Sequence, residues 1–275
     1  MRPNGVITLT TDFGLADSYV GAIKGVILSI APDARLVDIT HDVSPQNIHQ
    51  AAYIVQTFYG YYPPGTIHMA IVDPGVGSER GAIALGTPSA IFVAPDNGVL
   101  TYVWRDSLAR WGPEACQVIE LAERRFWLPQ ISSTFHGRDI FAPVAAHLAR
   151  GAPLQALGPR RPRLLEADLE QPAVGRTGGL VGRIIQVDHF GNCITNITPQ
   201  HLEQAGLREH LVVQIIDQRI AGLRRIFADV PVGALIALIG SSDRLELAVR
   251  NGSAAQTLGV GIGDSVRVLD GRDAG

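Results

Sequence analysis

One apolar run in this 275-residue chain ends in a carboxylate, a glycine-containing turn and an arginine. Residues 66–72 indicate a buried strand, Asp73 follows them directly, and Arg80 stands just beyond the turn. In open α/β sheets ligands bind beyond the carboxyl ends of the strands, and glycines let the backbone approach a ligand closely. The segment therefore predicts either a binding site that carries the charges of Asp73 and Arg80, or a tight turn capped by Asp73.

A second polar cluster, residues 134–139, precedes a helical pattern at 140–149. His136 and the first backbone N–H groups would lie at the positive end of the helix dipole, a place that suits an anion or a developing negative charge. The alternative is structural, with Arg138 and Asp139 forming an ion pair that caps the helix.

Two turns in the second half of the chain could also carry chemistry. Phe190 is flanked by Asp188 and Asn192, which would allow the ring to stack on a planar base while its neighbours read the polar edge of that base. Residues 241–244 follow an apolar run and could bind a ligand carboxylate through hydroxyl and N–H groups. Ordinary β-turns remain the alternative for both segments.

The elements that must position these groups alternate between strand and helix in the first half of the chain. Apolar runs that indicate strands are found at residues 6–11, 36–40, 66–72, 82–85 and 91–94. Helical periodicity is present at residues 19–30, and Ser44 with Pro45 predicts the start of the next helix. This order predicts a mainly parallel sheet with right-handed crossovers.

We expect an α/β N-terminal domain at residues 1–165, a linker at 166–179 and a smaller β-barrel-like domain at 180–275. The linker is predicted because Pro, Arg, Glu and Gly follow one another there without periodicity. Beyond it, short β-rich runs separated by turns are typical of a small barrel or sandwich.

The composition indicates a globular protein, with 46% apolar and 18% charged residues. The net charge of −3 argues against a nucleic-acid partner. No apolar run approaches the ~20 residues that a membrane helix needs, and no signal-peptide core is present, so we expect a cytoplasmic protein without a membrane partner. Cys116 and Cys193 form neither a disulfide framework nor a zinc motif.

Aspartates at strand ends together with a histidine also describe many metallohydrolases. A metal site built from Asp12, Asp73, Asp96 and His136 would make the protein a metal-dependent phosphoester or nucleoside hydrolase. Spacing alone does not decide between this site and a metal-free one.

Taken together, the motifs resemble the S-adenosylmethionine hydroxide adenosyltransferase family, which is related to the fluorinating and chlorinating enzymes. The segments that carry the resemblance are residues 10–14, 72–80, 94–98, 135–139 and 188–192, with Ser242 and residues 250–251 near the end. The resemblance implies an α/β domain followed by a small β-barrel. It also implies attack of water on the ribose C5′ of S-adenosyl-L-methionine, giving adenosine and L-methionine without a metal or another cofactor.

The family's catalytic set falls on Asp73, Arg80 and His136. With this set, Arg80 and His136 are expected to hold and polarise the water, while Asp73 orients them and can accept a proton. The resemblance also implies that Asp12 binds the ribose hydroxyl groups and that Phe135 lines the pocket.

The remaining substrate contacts implied by the resemblance lie in the second domain. Phe190 and Asn192 match residues of the base region, and Asp188 and Ser242 match positions that bind the methionine amine and carboxylate. The family forms each site between the N-terminal domain of one subunit and the C-terminal domain of its neighbour, so a homotrimer is expected.

Departures from the fluorinating enzymes favour water as the nucleophile. Asp73 stands where those enzymes have an aromatic residue, and Gly137 where they have serine. A carboxylate at position 73 would repel a halide ion. A non-catalytic adenosine-binding protein is the remaining alternative, because binding contacts alone do not establish turnover.

Overall fold

The computed structural model describes residues 2–175, 179–207 and 210–272, and the chain divides into two compact units between Asp168 and Leu169. Residues 176–178 of the expected linker lie outside the described part. Just before them, Ala173–Val174 form a short strand that pairs with the first long strand of the second unit.

The first unit is built on a seven-stranded sheet with the order β2-β1-β3-β5-β4-β6-β7. Its strands are β1 (Val6–Thr11), β2 (Arg35–Thr40), β3 (Thr66–Ile71), β4 (Ala82–Gly86), β5 (Ala90–Pro95), β6 (Gln117–Glu120) and β7 (Arg160–Arg161). The strands β1, β2, β3 and β5 run parallel, which confirms the mainly parallel sheet. The short turn from β4 to β5 is too brief for a crossover, so this pair is antiparallel.

Helices cover both faces of this sheet. They are α1 (Tyr19–Ile30), α2 (Ile48–Phe58), α3 (Thr101–Trp111) and α4 (Ala142–Ala149). Ile7 and Leu9 of β1 pack with Ile23 and Ile27 of α1 in one core cluster, to which α4 also contributes. A separate cluster on α2, α3 and the sheet includes Phe92. Burial on both faces explains why β3 and β5 are continuous apolar runs rather than alternating ones.

The helix start predicted at Ser44 and Pro45 was wrong. Helix α2 begins at Ile48, and the Asn47 side chain accepts a hydrogen bond from the backbone N–H of Gln50 at 3.0 Å. Gln46 has a φ of 66°, a left-handed conformation that an α-helix cannot include. The helix therefore has to start after residue 46.

The second unit is antiparallel, with the strand order β12-β11-β15-β9-β10-β14-β13 and β8 paired to β9. Its strands are β8 (Ala173–Val174), β9 (Leu180–Val187), β10 (Cys193–Thr195), β11 (Leu211–Ile215), β12 (Gln218–Ala221), β13 (Leu235–Ile239), β14 (Leu245–Val249) and β15 (Ser265–Asp270), with helices α5 (Pro199–Gln204) and α6 (Ala254–Leu258). After β12, the N–H of Arg224 donates to Ala237 O on β13 at 2.8 Å, which brings the sheet edges together. The barrel-like architecture expected for this region is thus confirmed.

In the described part of the chain, every helix is too short or too polar to cross a lipid bilayer.

Candidate functional site

The turn after β3 brings Asp73 and Arg80 together. The N–H of Val76 donates to Asp73 O at 3.2 Å and begins to reverse the chain. Gly77 has a φ of 78°, and a Cβ atom there would lie 2.3 Å from the carbonyl oxygen of Ser133. Glycine is therefore required both by the backbone conformation and by the close approach of the segment that leads to His136.

The Arg80 guanidinium binds the Asp73 carboxylate through more than one N–H group. Its Nε lies 2.9 Å from both Oδ1 and Oδ2, and its Nη2 also contacts Oδ2. The side chains of Arg80 and Asp73 are only 10% and 6% exposed. The guanidinium carbon also lies 5.3 Å from the ring centroid of Phe141. A buried, multiply hydrogen-bonded pair of this kind has a fixed orientation.

His136 is the third member of this cluster. Its Nδ1 lies 3.0 Å from Nη2 of Arg80. Because arginine can only donate hydrogen bonds, Nδ1 must accept, and the hydrogen of the neutral imidazole is then assigned to Nε2. The three residues expected to be catalytic are thus in contact, and the Nε2–H of His136 remains as a donor.

The surroundings of His136 favour its neutral form. Burial lowers the pKa of His136, and the positive charge of Arg80 lowers it further. The carboxylates of Asp73 and Asp139 act in the opposite direction but do not reverse the shift. The neutral imidazole therefore predominates at pH 7, and its Nδ1 can accept the hydrogen bond from Arg80.

His136 is placed by a π-helical turn, Gly137–Phe141, where a regular helix beginning near residue 140 was expected. The N–H groups of Arg138 and Asp139 both donate to Phe135 O, at 3.1 and 3.2 Å. Turns of this kind are rare and frequently occur at functional sites.

The carboxylate of Asp139 anchors the segment that contains His136. It is fully buried and accepts hydrogen bonds from Nε of Arg138 at 2.6 Å and from the N–H of Ser132 at 2.7 Å. The ion pair proposed for Arg138 and Asp139 is therefore present. It also fixes the loop that precedes His136.

Asp12 and Phe135, two of the expected substrate contacts, lie in the same unit as this cluster. Oδ2 of Asp12 accepts a hydrogen bond from the N–H of Gln46 at 2.8 Å. Phe135 belongs to an aromatic group in which its ring centroid is 5.8 Å from that of Phe13 and 5.1 Å from that of Tyr19. Phe13 directly follows Asp12, so the group connects the ends of β1 and α1 to the His136 segment.

The residues of the alternative metal site are engaged in other contacts. Oδ2 of Asp96 accepts from Nη1 of Arg161 at 2.8 Å, and Oδ1 accepts from the N–H of Leu165 at 2.7 Å. Asp73 is bound to Arg80. Among the described residues, no three His, Cys, Asp or Glu side chains are grouped so that they could hold a metal ion. This arrangement gives the metal-dependent alternative no support.

In the second unit, Asp188, Phe190 and Asn192 share the turn after β9. Oδ1 of Asp188 accepts from the N–H groups of Phe190 and Asn192 at 2.9 and 2.8 Å, and Oδ2 accepts from Nδ2 of Asn192 at 2.8 Å. Phe190 is 73% exposed. Its ring is thus available to stack on a planar ligand.

A cavity of about 730 Å³ opens beside this turn. Its described lining residues are Asp188, Phe190, Asn192, Phe227, Leu238, Ile239, Gly240, Ser241, Glu246, Val249, Asn251 and Gly252. Four lining residues belong to the segments expected from the sequence, namely Asp188, Phe190, Asn192 and Ser241. Ser242 does not line the cavity but is the neighbour of Ser241 in the chain. Phe227 and Glu246 were not expected, because neither belongs to a polar turn motif; only folding brings their distant segments to the same wall.

Two family models match the chain. The SAM hydroxide adenosyltransferase N-terminal domain matches residues 7–158, and the SAM hydroxide adenosyltransferase C-terminal domain matches residues 182–267.

Individual proteins match over nearly the whole length. A protein of Salinispora tropica named (R)-S-adenosyl-L-methionine hydrolase is 39% identical, over 98% of this chain and 100% of its own. A fluorinase of Nocardia brasiliensis is more distant, at 28% identity over 97% of each chain. The crystal structure of an uncharacterized conserved protein from Thermotoga maritima is similar with a TM-score of 0.86 and 36% identity, covering 96% of this chain and 99% of that one.

Proposed function

The chain belongs to the S-adenosylmethionine hydroxide adenosyltransferase family, and from this premise we propose that it hydrolyses S-adenosyl-L-methionine, with Asp73, Arg80 and His136 at the reacting centre. The observation that carries the proposal is the single guanidinium of Arg80 bound to both Asp73 and His136. The products are adenosine and L-methionine.

The step of this reaction that most needs catalysis is the activation of the nucleophile, water. A water oxygen forms a bond to the ribose C5′, the C5′–S bond breaks, and its electron pair leaves with sulfur as the neutral thioether of methionine. The water gives up one proton in the process. Because a neutral thioether needs no protonation, no general acid is required, and catalysis depends on stabilising negative charge on the water oxygen.

The cluster of Asp73, Arg80 and His136 in the first unit is suited to stabilising negative charge on a water oxygen. The Nε2–H of His136 and the guanidinium of Arg80 are donors that can hold the water and stabilise hydroxide-like charge as it develops. Asp73 fixes the guanidinium, and its carboxylate can take up the released proton. The same carboxylate disfavours a halide at this place, which supports water as the nucleophile.

The substrate contacts follow from the same premise. Asp12 would bind the ribose hydroxyls, with Phe135 lining the pocket. The cavity of the second unit supports binding of the base by Phe190 and Asn192 and of the methionine part by Asp188, all of which line it. The role of Ser242, the neighbour of the lining residue Ser241, follows from the family resemblance. The name of the Salinispora tropica relative specifies the R configuration at sulfur, and we extend this preference to the present chain.

The test is to incubate the purified protein with each sulfur epimer of S-adenosyl-L-methionine in ¹⁸O-labelled water, with and without a chelator. We expect adenosine labelled at its 5′ oxygen, equimolar methionine, a faster reaction with the R epimer and no effect of the chelator. Loss of activity in chelator would favour the metal-dependent hydrolase. Tight adenosine binding without product above the uncatalysed rate would favour a non-catalytic binding protein.

We further propose that the protein is a cytoplasmic homotrimer whose sites combine the first unit of one subunit with the second unit of its neighbour. Two observations support this proposal: the expected substrate contacts are divided between the units, and Cys116 and Cys193 are free thiols, as in a reducing compartment.

Mixing two impaired variants, Arg80→Ala and Phe190→Ala, tests the trimer when activity is assayed at low substrate concentration, where each variant alone is slow. If sites are shared between subunits, co-refolded trimers contain some sites with both residues intact, and activity returns. A monomer in light scattering, or no recovered activity in mixed trimers, would contradict the shared site.

A further inference from the structure

The carboxyl group of Glu246 lies in the same cavity as Asp188 and has no part in the reaction described above. Glu246 belongs to β14, where its partners across the sheet are Leu238 on β13 and Ile194 on β10. A Cβ atom on Gly240 would lie 1.8 Å from Oε1 of Glu246. Glycine at position 240 therefore leaves the space that this carboxyl group occupies at the cavity wall.

The electrostatic surroundings of Glu246 are apolar and negative. Burial raises the pKa of Glu246 to about 6, and the charge of Asp188 acts in the same direction. The flanking strands β10 and β13 have no charged side chain. In the turn between β13 and β14, Asp243 is exposed, and Nη1 of Arg244 lies 3.5 Å from Asn196 O. Of the described residues that line the cavity, only Asp188 and Glu246 are charged.

The carboxyl groups of Asp188 and Glu246 differ in the number of hydrogen bonds that they accept within the protein. Asp188 accepts three hydrogen bonds from its own turn, which use both of its oxygens. Glu246 is thus the better placed of the two to accept hydrogen bonds from a ligand. Two carboxylates at the wall of one cavity are complementary to a ligand cation that has N–H donors.

We propose that Glu246 binds the α-ammonium group of the methionine part of the substrate, with Asp188 as a second negative charge beside it. This inference rests on the proposed function, since S-adenosyl-L-methionine supplies the ammonium group. The sulfonium is the other cation of the substrate, but it has no N–H donor and is bonded to the reacting carbon. Glu246 is therefore a specificity-determining residue for the amino-acid end of the substrate.

The proposal predicts that KM depends on pH. An ammonium group binds the ionised carboxylate and not the neutral acid. As the pH falls through about 6, Glu246 takes up a proton in the free enzyme and KM rises. Above that pH the carboxylate is ionised and KM is constant.

The direct test is Glu246→Gln, which keeps the shape of the side chain and removes its charge. We expect KM for S-adenosyl-L-methionine to rise about 10- to 100-fold, as for loss of one charge-assisted hydrogen bond, with kcat almost unchanged. The rise of KM near pH 6 should disappear. Glu246→Asp, which keeps the charge, should recover part of the affinity, and Glu203→Gln on the exposed face of α5 is the matched control.

Binding of substrate analogues distinguishes recognition of the ammonium group from other roles of Glu246. L-Methionine should inhibit the wild type more strongly than its analogue without the amino group, and Glu246→Gln should abolish that difference. Equal loss of adenosine binding in the variant would mean that Glu246 reads the base, which overturns the inference. Unchanged KM in an active Glu246→Gln enzyme would overturn it as well, whereas a wild type that forms no adenosine or methionine overturns the proposed function itself.

Discussion

Arg80→Ala is expected to lower kcat for S-adenosyl-L-methionine hydrolysis by about 10²- to 10³-fold, the usual effect of removing a donor that stabilises transition-state charge. KM should change much less, because the guanidinium acts on the water and not on the bound substrate. The variant also leaves the 6% exposed Asp73 carboxylate without its cation and Nδ1 of His136 without its donor. Steady-state formation of adenosine measures both constants.

Arg80→Lys distinguishes charge from geometry. A lysine ammonium is a point charge and cannot reproduce the planar fork that contacts Asp73 and His136 together. We expect kcat to stay close to that of Arg80→Ala. Arg105→Lys is the control, since Arg105 forms an exposed ion pair with Glu166 at 2.7 Å and should be as active as the wild type.

Two results would contradict this role for Arg80. Wild-type kcat in Arg80→Lys would show that a positive charge suffices without the fork. A raised KM with normal kcat in Arg80→Ala would show that Arg80 binds substrate instead.

His136→Ala should lower kcat by about 10²-fold or more, in the range for groups that handle a proton or a developing charge. His136→Asn refines the result, because its Oδ1 can replace Nδ1 as the acceptor for Arg80, while the shorter side chain has no N–H at the position of Nε2–H. If Nε2–H holds the water, both variants are slow. If His136 only holds Arg80 in position, the asparagine variant regains most of the activity. The assignment of Nε2–H as the donor to the water is then wrong.

The pH dependence of kcat offers an independent check on His136. Its pKa is lowered from 6.5 by burial and by Arg80, so the midpoint of its protonation lies below pH 6.5. Protonation removes the acceptor at Nδ1 and adds a positive charge beside Arg80. We therefore expect kcat to fall as the pH is lowered through that midpoint, and this acid limb should be absent from His136→Asn.

Measuring kcat rather than kcat/KM separates this titration from that of Glu246, which acts on KM. An identical acid limb in His136→Asn would assign the titration to another group.

The parts of the site that lie close together in the chain could be predicted from the sequence. Asp73 and Arg80 are separated by one turn, and proline and glycines restrict how that turn can fold. Asp188, Phe190 and Asn192 likewise share a turn whose hydrogen bonds are local. Local sterics and short loops determine such geometry, so residue types and spacing are informative.

The sequence indicated that distant segments meet at the site, but it did not indicate which atoms form the contacts. His136 was expected in the site from its motif, yet its hydrogen bond to Arg80 depends on a π-helical turn that the helical pattern did not indicate. The predicted start of α2 was wrong for a related reason, namely a contact between distant segments. The carboxylate of Asp12, at the end of β1, accepts a hydrogen bond from the N–H of Gln46. A tertiary contact overrode the local preference of Ser44 and Pro45.

By itself, the sequence determined the mainly parallel α/β unit, the β-barrel-like unit, the family and the candidate residues, because hydrophobic periodicity and motif spacing are properties of the chain. Only the tertiary structure decided that the guanidinium of Arg80 contacts both Asp73 and His136. It also decided that Asp96 forms an ion pair with Arg161 and that Glu246 lines the same cavity as Asp188. Burial, charge coupling and pKa depend on distances between residues far apart in the chain, and those distances exist only once the core has packed.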